Sequence, residues 1–159
     1  MPNKTLYLAY GSNINLEQMA FRCPTADRIT TGYIQDYELE FRGVATIVPK
    51  ENSTVPVLIW ELEPADERSL DRYEGFPNLY RKETFDVVIN GETRTAMAYV
   101  MNRGSISLPS PAYYGSIMKG YLANGMDPKP LEEAYHRAEE AEEAVQEMYQ
   151  TYFDLKGGW

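Results

Sequence analysis

The sequence predicts an α+β fold with a small, largely antiparallel, barrel-like β-sheet and flanking helices. Strand-like runs rich in β-branched and aromatic residues fill the first two thirds of the 159-residue chain, and helical patterns fill the last third. Asn90-Gly91 lies between two strand-like runs, which is the commonest short signature of a tight hairpin. This length supports one ordinary core, so we expect a single domain over residues 1–159.

The N-terminal part begins with one strand and one short helix. The apolar run from Thr5 to Tyr10 predicts a buried strand. Asn13 to Ala20 predicts a short helix, because asparagine stands at two candidate cap positions and Glu17 lies in the first turn. Cys23-Pro24 is expected to end it.

Three further strands are expected before the next helix, because these runs are rich in β-branched and aromatic residues. Their bounds are Arg28 to Arg42, Val44 to Val48 and Val55 to Leu62, separated by Gly43 and the polar stretch "PKENST". Pro64, tolerated at a first helical position, and Gly75, a natural left-handed stop, predict a short helix between them.

Two helices are predicted after the hairpin and a loop from Asn102 to Ser110. The first runs from Pro111 to Asn124 and is closed by Gly125. The second, over residues 130–155, carries apolar residues at three- and four-residue intervals opposite a glutamate-rich face. This acidic amphipathic helix can pack on the body of the protein or on a second copy, so a homodimer stays open.

Charge and cysteine content exclude several classes of protein. The net charge of −9 argues against nucleic acid as a partner, because a phosphate backbone requires clustered lysine and arginine. Cys23, the only cysteine, cannot form an internal disulfide and has no zinc-site companions, which favours a cytoplasmic protein. The apolar opening, Leu6 to Tyr10, is too short for a signal-peptide core or a membrane span.

The first candidate site is the break from the initial strand into Gly11, Ser12 and Asn13. A strand that ends there and feeds a helix leaves several backbone N–H groups without intrahelical partners, which suits an anion or a carbonyl oxygen. Gly11 allows a close backbone approach to a ligand. The alternative is a purely structural turn. A nucleotide phosphate loop is disfavoured, since no Gly-Lys-Ser/Thr ending follows.

The second candidate is Glu74, in the last turn of the helix that Gly75 ends. The negative end of the helix dipole and the aromatic residues Tyr73, Phe76 and Tyr80 are expected to raise its pKa, which would make it a better base near neutral pH. The alternative is a solvated glutamate on a surface turn.

Other polar side chains offer weaker signals. Tyr113 and Tyr114, at a helix start, can pack over a core or form a pocket wall that donates a hydrogen bond. Arg22, Arg42, Arg81 and Arg103 could each contact a substrate carboxylate, and the sequence does not choose among them. His136 and Cys23 are expected to be a solvated helix residue and a structural thiol.

Three motifs together resemble the γ-glutamylcyclotransferase-like (AIG2-like) family. They are "YGSN" after the first strand, "LDRYEG" followed by Tyr80, and "PSPAY" with Gly120 downstream, and they span roughly residues 5–126. The resemblance implies attack of a substrate's α-amine on its own γ-glutamyl amide, which releases 5-oxoproline and a free amine, amino acid or peptide. It implies no cofactor and no metal.

The resemblance also implies roles for particular residues. Glu74 matches the catalytic acid/base, and the matching substrate-binding loop is Tyr10, Gly11, Ser12, Asn13 and Ile14. Tyr80, Tyr99 and Tyr113 match aromatic residues around the pocket. The leaving amine is not determined. Two other functions stay open: a non-catalytic module that binds a small carboxylate metabolite, and an interaction protein that acts through the acidic C-terminal helix.

Overall fold

The protein is built on one mixed five-stranded sheet, seen in a computed structural model that describes residues 3–157. The strands are β1 Thr5–Ala9, β2 Asp27–Arg42, β3 Val44–Leu62, β4 Tyr80–Ile89 and β5 Glu92–Met101. Their order across the sheet is β2-β3-β1-β5-β4. Three neighbouring pairs are antiparallel, and β1 runs parallel to β5. The α+β class with a largely antiparallel sheet is confirmed.

The sheet is curved but is not closed into a barrel. Within residues 3–157, the edge strands β2 and β4 are not paired with each other. They nevertheless approach closely, since the rings of Tyr37 on β2 and Phe85 on β4 pack edge to face with centroids 5.2 Å apart. The sheet is therefore barrel-like only in its curvature.

Four α-helices and one 3₁₀ turn flank the sheet. The turn is Ser12–Ile14, and the helices are α1 Leu16–Arg22, α2 Pro64–Glu74, α3 Pro111–Ala123 and α4 Lys129–Leu155. None of these helices is both long enough and apolar enough to span a lipid bilayer. The core lies between the central strands and α3, where Leu8, Leu58 and Ile117 are completely buried.

The predicted bounds of the helix, Asn13 to Ala20, are wrong, whereas the prediction that Cys23-Pro24 ends it is confirmed. The chain first makes the 3₁₀ turn, and α1 begins only after Asn15, whose side chain accepts a hydrogen bond of 3.0 Å from the Gln18 amide. Asn15 is thus the true N-cap, and the Asn13 side chain is available for other contacts. The helix then continues to Arg22, and Cys23 follows as its C-terminal cap.

The prediction of two strands across residues 44–62 is also wrong, because β3 is continuous there. The polar stretch "PKENST" forms an irregularity opposite Asp36 rather than a break. Asp36 and Asn52 both adopt positive φ angles (64° and 66°), and the Asp36 carboxylate accepts a 3.0 Å hydrogen bond from the Asn52 amide. Extra residues are therefore absorbed without ending the pairing of β2 with β3.

The hairpin and the helix before it are confirmed. Asn90 and Gly91 connect β4 to β5 with φ angles of 52° and 79°, the two positive values that a tight two-residue turn requires. Helix α2 begins at Pro64 and ends at Glu74, and Gly75 caps it in the left-handed conformation at φ 66°. This cap fixes where the last turn of α2, and so Glu74, stands.

Helix α4 packs on the body of the protein only through its first half. Leu131, Ala134 and Ala138 are buried, and the Arg137 guanidinium donates a 2.7 Å hydrogen bond to the Leu39 carbonyl of β2. The second half carries an exposed apolar face. Its members are Val145, Met148, Tyr149, Tyr152, Phe153 and Leu155.

Gly120 of α3 is the point where that helix presses on the loop after β1. A Cβ atom at this position would lie 2.7 Å from both the carbonyl carbon and the carbonyl oxygen of Ile14, and 2.8 Å from the Asn15 nitrogen. These are backbone atoms, so no side chain can rotate away. The absence of a side chain at Gly120 therefore sets the position of the loop.

Replacement Gly120→Ala is expected to destabilise the fold by about 1–3 kcal/mol, the usual cost of overpacking. The matched control is Gly115→Ala on the exposed side of the same helix, where a Cβ meets nothing within 4 Å. That change should be neutral or stabilising by up to about 1 kcal/mol, because alanine favours helix more than glycine does. Urea denaturation measures both, and equal effects would contradict this packing.

Candidate functional site

The loop after β1 is shaped by a close approach to α3. A Cβ atom on Gly11 would lie 3.1 Å from the Tyr113 hydroxyl and 3.4 Å from the Ala45 Cβ. Because glycine has no side chain, the backbone at Gly11 can pack closely against the Tyr113 hydroxyl and against Ala45 of β3. The Trp60 indole donates a 3.1 Å hydrogen bond to the Asn13 carbonyl and holds the other end of the loop on β3.

This loop borders a cavity of about 250 Å³, here called the glutamate cavity after Glu74, one of its members. The cavity lies between the loop, the end of α2 and the neighbouring strands. Its lining consists of Tyr7, Tyr10, Gly11, Ser12, Asn13, Val44, Ala45, Tyr73, Glu74, Leu79, Tyr80, Tyr99 and Tyr113. Three residues of the loop and a single carboxylate thus border a common space.

The structure brings together eight of the nine site residues expected from the sequence; Ile14 is outside the lining. Ile14 is completely buried in the core, and its N–H donates a 3.1 Å hydrogen bond to the Gly11 carbonyl. Its amide is therefore not a free donor. No hydrogen bond within residues 3–157 uses the N–H groups of Gly11, Ser12 or Asn13.

Glu74 is half-buried at the end of α2 and has no hydrogen-bond or ion-pair partner among the described residues. Burial raises the pKa of its carboxyl from 4.5 to about 7, and the nearby positive charge of Arg22 partly opposes that rise. The group can therefore accept and release a proton near neutral pH. The raised pKa that the sequence predicted is borne out, with burial as its main cause.

The tyrosines of the cavity are tied to the protein by their hydroxyl groups. Tyr80 donates to the Ala45 carbonyl at 2.9 Å, and the Ala45 N–H donates to the Tyr113 hydroxyl at 3.0 Å. Tyr99 donates to the Asp71 carboxylate at 2.6 Å, and Tyr10 donates to the Tyr99 carbonyl. These bonds hold the rings in place around the cavity.

Comparison with known proteins identifies the family of this chain. The model of the family described as gamma-glutamyl cyclotransferase, AIG2-like, matches residues 7–120. The chain belongs to this family. The family resemblance predicted from the three motifs is thereby confirmed.

Several members are similar to this chain. Gamma-glutamylcyclotransferase of Homo sapiens is 31% identical in an alignment 146 residues long, and the match covers 80% of this chain and 73% of that protein. The Bos taurus protein of the same name is 30% identical over 143 residues, with the same coverage. A solved gamma-glutamyl cyclotransferase structure, 27% identical, superposes with a TM-score of 0.75 and covers 83% of this chain and 86% of that one.

This family member also lines its cavity with residues that sequence reasoning missed. Tyr7, Val44, Ala45 and Leu79 border the cavity, as does Tyr73, which was expected only as an apolar neighbour of Glu74. Tyr7 lies inside an apolar strand, and no spacing signal distinguishes it from a core residue. Only the folded structure shows that it borders a cavity.

Of the four candidate arginines, Arg22 is the one next to the loop. It donates to the Asn13 side chain at 2.6 Å and to the Ser12 hydroxyl at 3.3 Å, and its guanidinium stacks 3.6 Å from the Tyr73 ring centroid. Arg42 and Arg81 instead pair with glutamates of their own strands. Arg22 therefore holds the loop in place through Ser12 and Asn13 and is not itself part of the cavity lining.

The two remaining candidates for chemistry lie away from the cavity lining. His136 is exposed on α4, where it pairs with Glu139 at 2.9 Å. Cys23 is buried, and burial raises the pKa of its thiol to about 12, which disfavours the reactive thiolate. Within the described part of the chain, no three His, Cys, Asp or Glu side chains cluster as metal ligands.

The raised pKa of Glu74 predicts a specific pH dependence of stability. Between pH 4.5 and about 7 the folded protein retains a proton that the unfolded chain releases, so this group's contribution falls as pH rises. Relative to Glu74→Gln, the wild-type free energy of unfolding should fall by at most about 3 kcal/mol across that window. Urea titrations from pH 4.5 to 8 measure this difference, and parallel curves would contradict it.

Proposed function

We propose that this protein is a γ-glutamyl cyclotransferase that converts a γ-glutamyl amide into 5-oxoproline and a free amine. The proposal depends mainly on one observation: Glu74 borders the same small cavity as Gly11 to Asn13, whose N–H groups have no acceptor among the described residues. Family membership and the similarity to gamma-glutamylcyclotransferases of mammals support it.

The proposed reaction needs no nucleophile from the protein. The substrate's α-amine attacks its own γ-carbonyl carbon, a new C–N bond closes the five-membered ring, and the original amide C–N bond breaks. An intramolecular attack of this kind is accelerated mainly by holding the substrate in a reactive shape. The aromatic walls of the cavity, fixed by their hydroxyl hydrogen bonds, are suited to that role.

Glu74 is proposed as the base and then the acid. Its carboxylate takes a proton from the attacking α-amine and delivers it to the departing nitrogen, so the residue ends the cycle in its starting state. A carboxyl with a pKa of about 7 can perform both transfers near neutral pH. The absence of any partner for Glu74 among residues 3–157 leaves it available to the substrate.

The loop is proposed to hold the negatively charged end of the substrate. The N–H groups of Gly11, Ser12 and Asn13 have no acceptor within the described residues, so each can donate to a carboxylate or a carbonyl oxygen. The leaving amine would extend past the exposed side chains of Val44 and Leu79. Amino acids, alkylamines and larger acceptors all stay candidates for it.

Production of 5-oxoproline is the direct test of this function. Purified protein incubated with γ-glutamyl amino acids, γ-glutamyl alkylamines and larger γ-glutamylated amines is expected to release 5-oxoproline from at least one class. Chromatographic measurement of the product identifies which. A complete lack of 5-oxoproline across the panel would contradict the proposal and favour a module that only binds a small carboxylate.

The variant Glu74→Gln separates these two functions. It should retain ligand binding while turnover falls by roughly 10²- to 10⁴-fold, the usual contribution of a general base. In the wild type, kcat/KM should rise with pH and level off above about 7, since the carboxylate is the active form. Turnover of Glu74→Gln at the wild-type rate would place the base elsewhere.

Self-association through α4 stays a prediction. The second half of this helix carries an exposed apolar face, with Met148 72% and Leu155 82% exposed, and such faces are typical of interaction surfaces. The double change Met148→Glu and Tyr152→Glu should shift a dimer to monomer without changing 5-oxoproline release. Light scattering after gel filtration measures the mass, and a wild-type monomer at all concentrations would contradict a homodimer.

A cytoplasmic location is likewise our proposal, supported by the single, buried cysteine.

A further inference from the structure

Tyr7 borders the glutamate cavity, and nothing in the motifs or in the proposed proton transfer uses it. Its side chain is buried, and its ring packs edge to face on Tyr99 with centroids 5.8 Å apart. Its hydroxyl lies 2.9 Å from the side-chain nitrogen of Asn13. The direction of that hydrogen bond decides whether the Tyr7 proton is free for a ligand.

Arg22 determines how the Asn13 amide is oriented. A guanidinium can only donate hydrogen bonds, so the atom 2.6 Å from it must be the side-chain oxygen of Asn13. The NH₂ group of Asn13 then faces Tyr7. Because that nitrogen can only donate, the Tyr7 oxygen is the acceptor.

The Tyr7 hydroxyl proton is consequently not donated in any hydrogen bond among the described residues. No acceptor for it exists within residues 3–157. By contrast, the hydroxyl protons of Tyr10, Tyr80 and Tyr99 are donated to a carbonyl or a carboxylate. The Tyr113 hydroxyl also accepts a hydrogen bond and does not donate its own proton, but its donor is a neutral backbone N–H.

Tyr7 differs from Tyr113 because its hydrogen bond leads back to a positive charge. The chain runs from the Arg22 guanidinium through the Asn13 amide to the Tyr7 hydroxyl, and successive bonds of this kind polarise one another. Tyr7 is therefore the stronger donor to an oxygen that gains negative charge. Burial and the nearby charge of Glu74 raise the pKa of Tyr7, so it stays protonated near neutral pH.

We propose that the Tyr7 hydroxyl donates a hydrogen bond to the γ-carbonyl oxygen of the bound glutamyl group, and that Asn13 and Arg22 are positioning residues that keep its proton free. This inference rests on the proposed function. When the α-amine attacks, the carbonyl electron pair moves to that oxygen, and it returns when the amide C–N bond breaks. Tyr7 keeps its proton throughout and stabilises the transient negative charge.

The variant Tyr7→Phe removes the hydroxyl and keeps the ring that packs on Tyr99. Turnover should fall by about 10²- to 10³-fold, the usual loss when one oxyanion donor is removed, with kcat affected far more than KM. The matched control is Tyr121→Phe. Its hydroxyl is buried without a hydrogen-bond partner among the described residues and lies outside the cavity lining, so turnover should stay at the wild-type rate.

The variant Asn13→Asp tests the positioning role. An aspartate keeps the shape and the contact with Arg22, but it has no NH₂ group and accepts the Tyr7 proton instead. Its kcat should fall about as far as that of Tyr7→Phe, and the double variant should be no slower than Tyr7→Phe alone. If the loss came from the added charge, the two losses would multiply, which would overturn the positioning role.

Calorimetric titration with L-glutamate tests the donor without turnover, because its γ-carboxylate occupies the place of the γ-carbonyl. The affinity for glutamate should fall about tenfold or more in Tyr7→Phe.

Turnover that is insensitive to Tyr7→Phe in an active wild type would contradict the Tyr7 assignment alone. Wild-type protein that neither binds glutamate nor forms 5-oxoproline would contradict both proposals. If the wild type forms no 5-oxoproline but binds glutamate with an affinity that falls in Tyr7→Phe, the proposed function would be overturned and the role of Tyr7 as a hydrogen-bond donor would be supported.

Discussion

The chemistry of this site depends on one carboxylate that is half-buried and has no partner among the described residues. Glu74 lies on the last turn of α2, and the walls of the cavity remove much of its hydration without supplying a cation to pair with it. Burial therefore dominates over the nearby charge of Arg22 and brings the pKa of Glu74 to about 7. A carboxylate paired with Arg22 at hydrogen-bond distance would have a lowered pKa and would be a poor base.

The rest of the fold keeps two elements in place around that carboxylate. The left-handed cap at Gly75 ends α2 so that Glu74 stands at the cavity. The loop after β1 is held from three sides: by Trp60 on β3, by Gly120 on α3 and by Arg22 on α1. A rigid loop pre-orders the N–H groups of Gly11 to Asn13, so a ligand does not have to arrange them on binding.

Much of the fold could be predicted from local signals, and the failures have physical causes. Asn90-Gly91 and Gly75 were identified correctly because positive φ angles have strong residue preferences. The continuity of β3 could not be predicted from "PKENST", since it depends on pairing with β2 and on the contact between Asp36 and Asn52. Such contacts between residues distant in the chain leave no local pattern.

In the candidate site, too, local motifs predicted most residues, and contacts between distant parts of the chain explain the rest. The site residues expected from the sequence line the cavity except Ile14, whose amide is used inside the 3₁₀ turn, a detail that depends on where the turn begins. Tyr7 looked like an ordinary core residue of β1. The most direct measurement is a crystal structure of Glu74→Gln with a γ-glutamyl amide: the glutamyl group should contact the amides of Gly11 to Asn13, with its α-amine at hydrogen-bond distance from residue 74. A ligand bound outside this cavity would contradict the account.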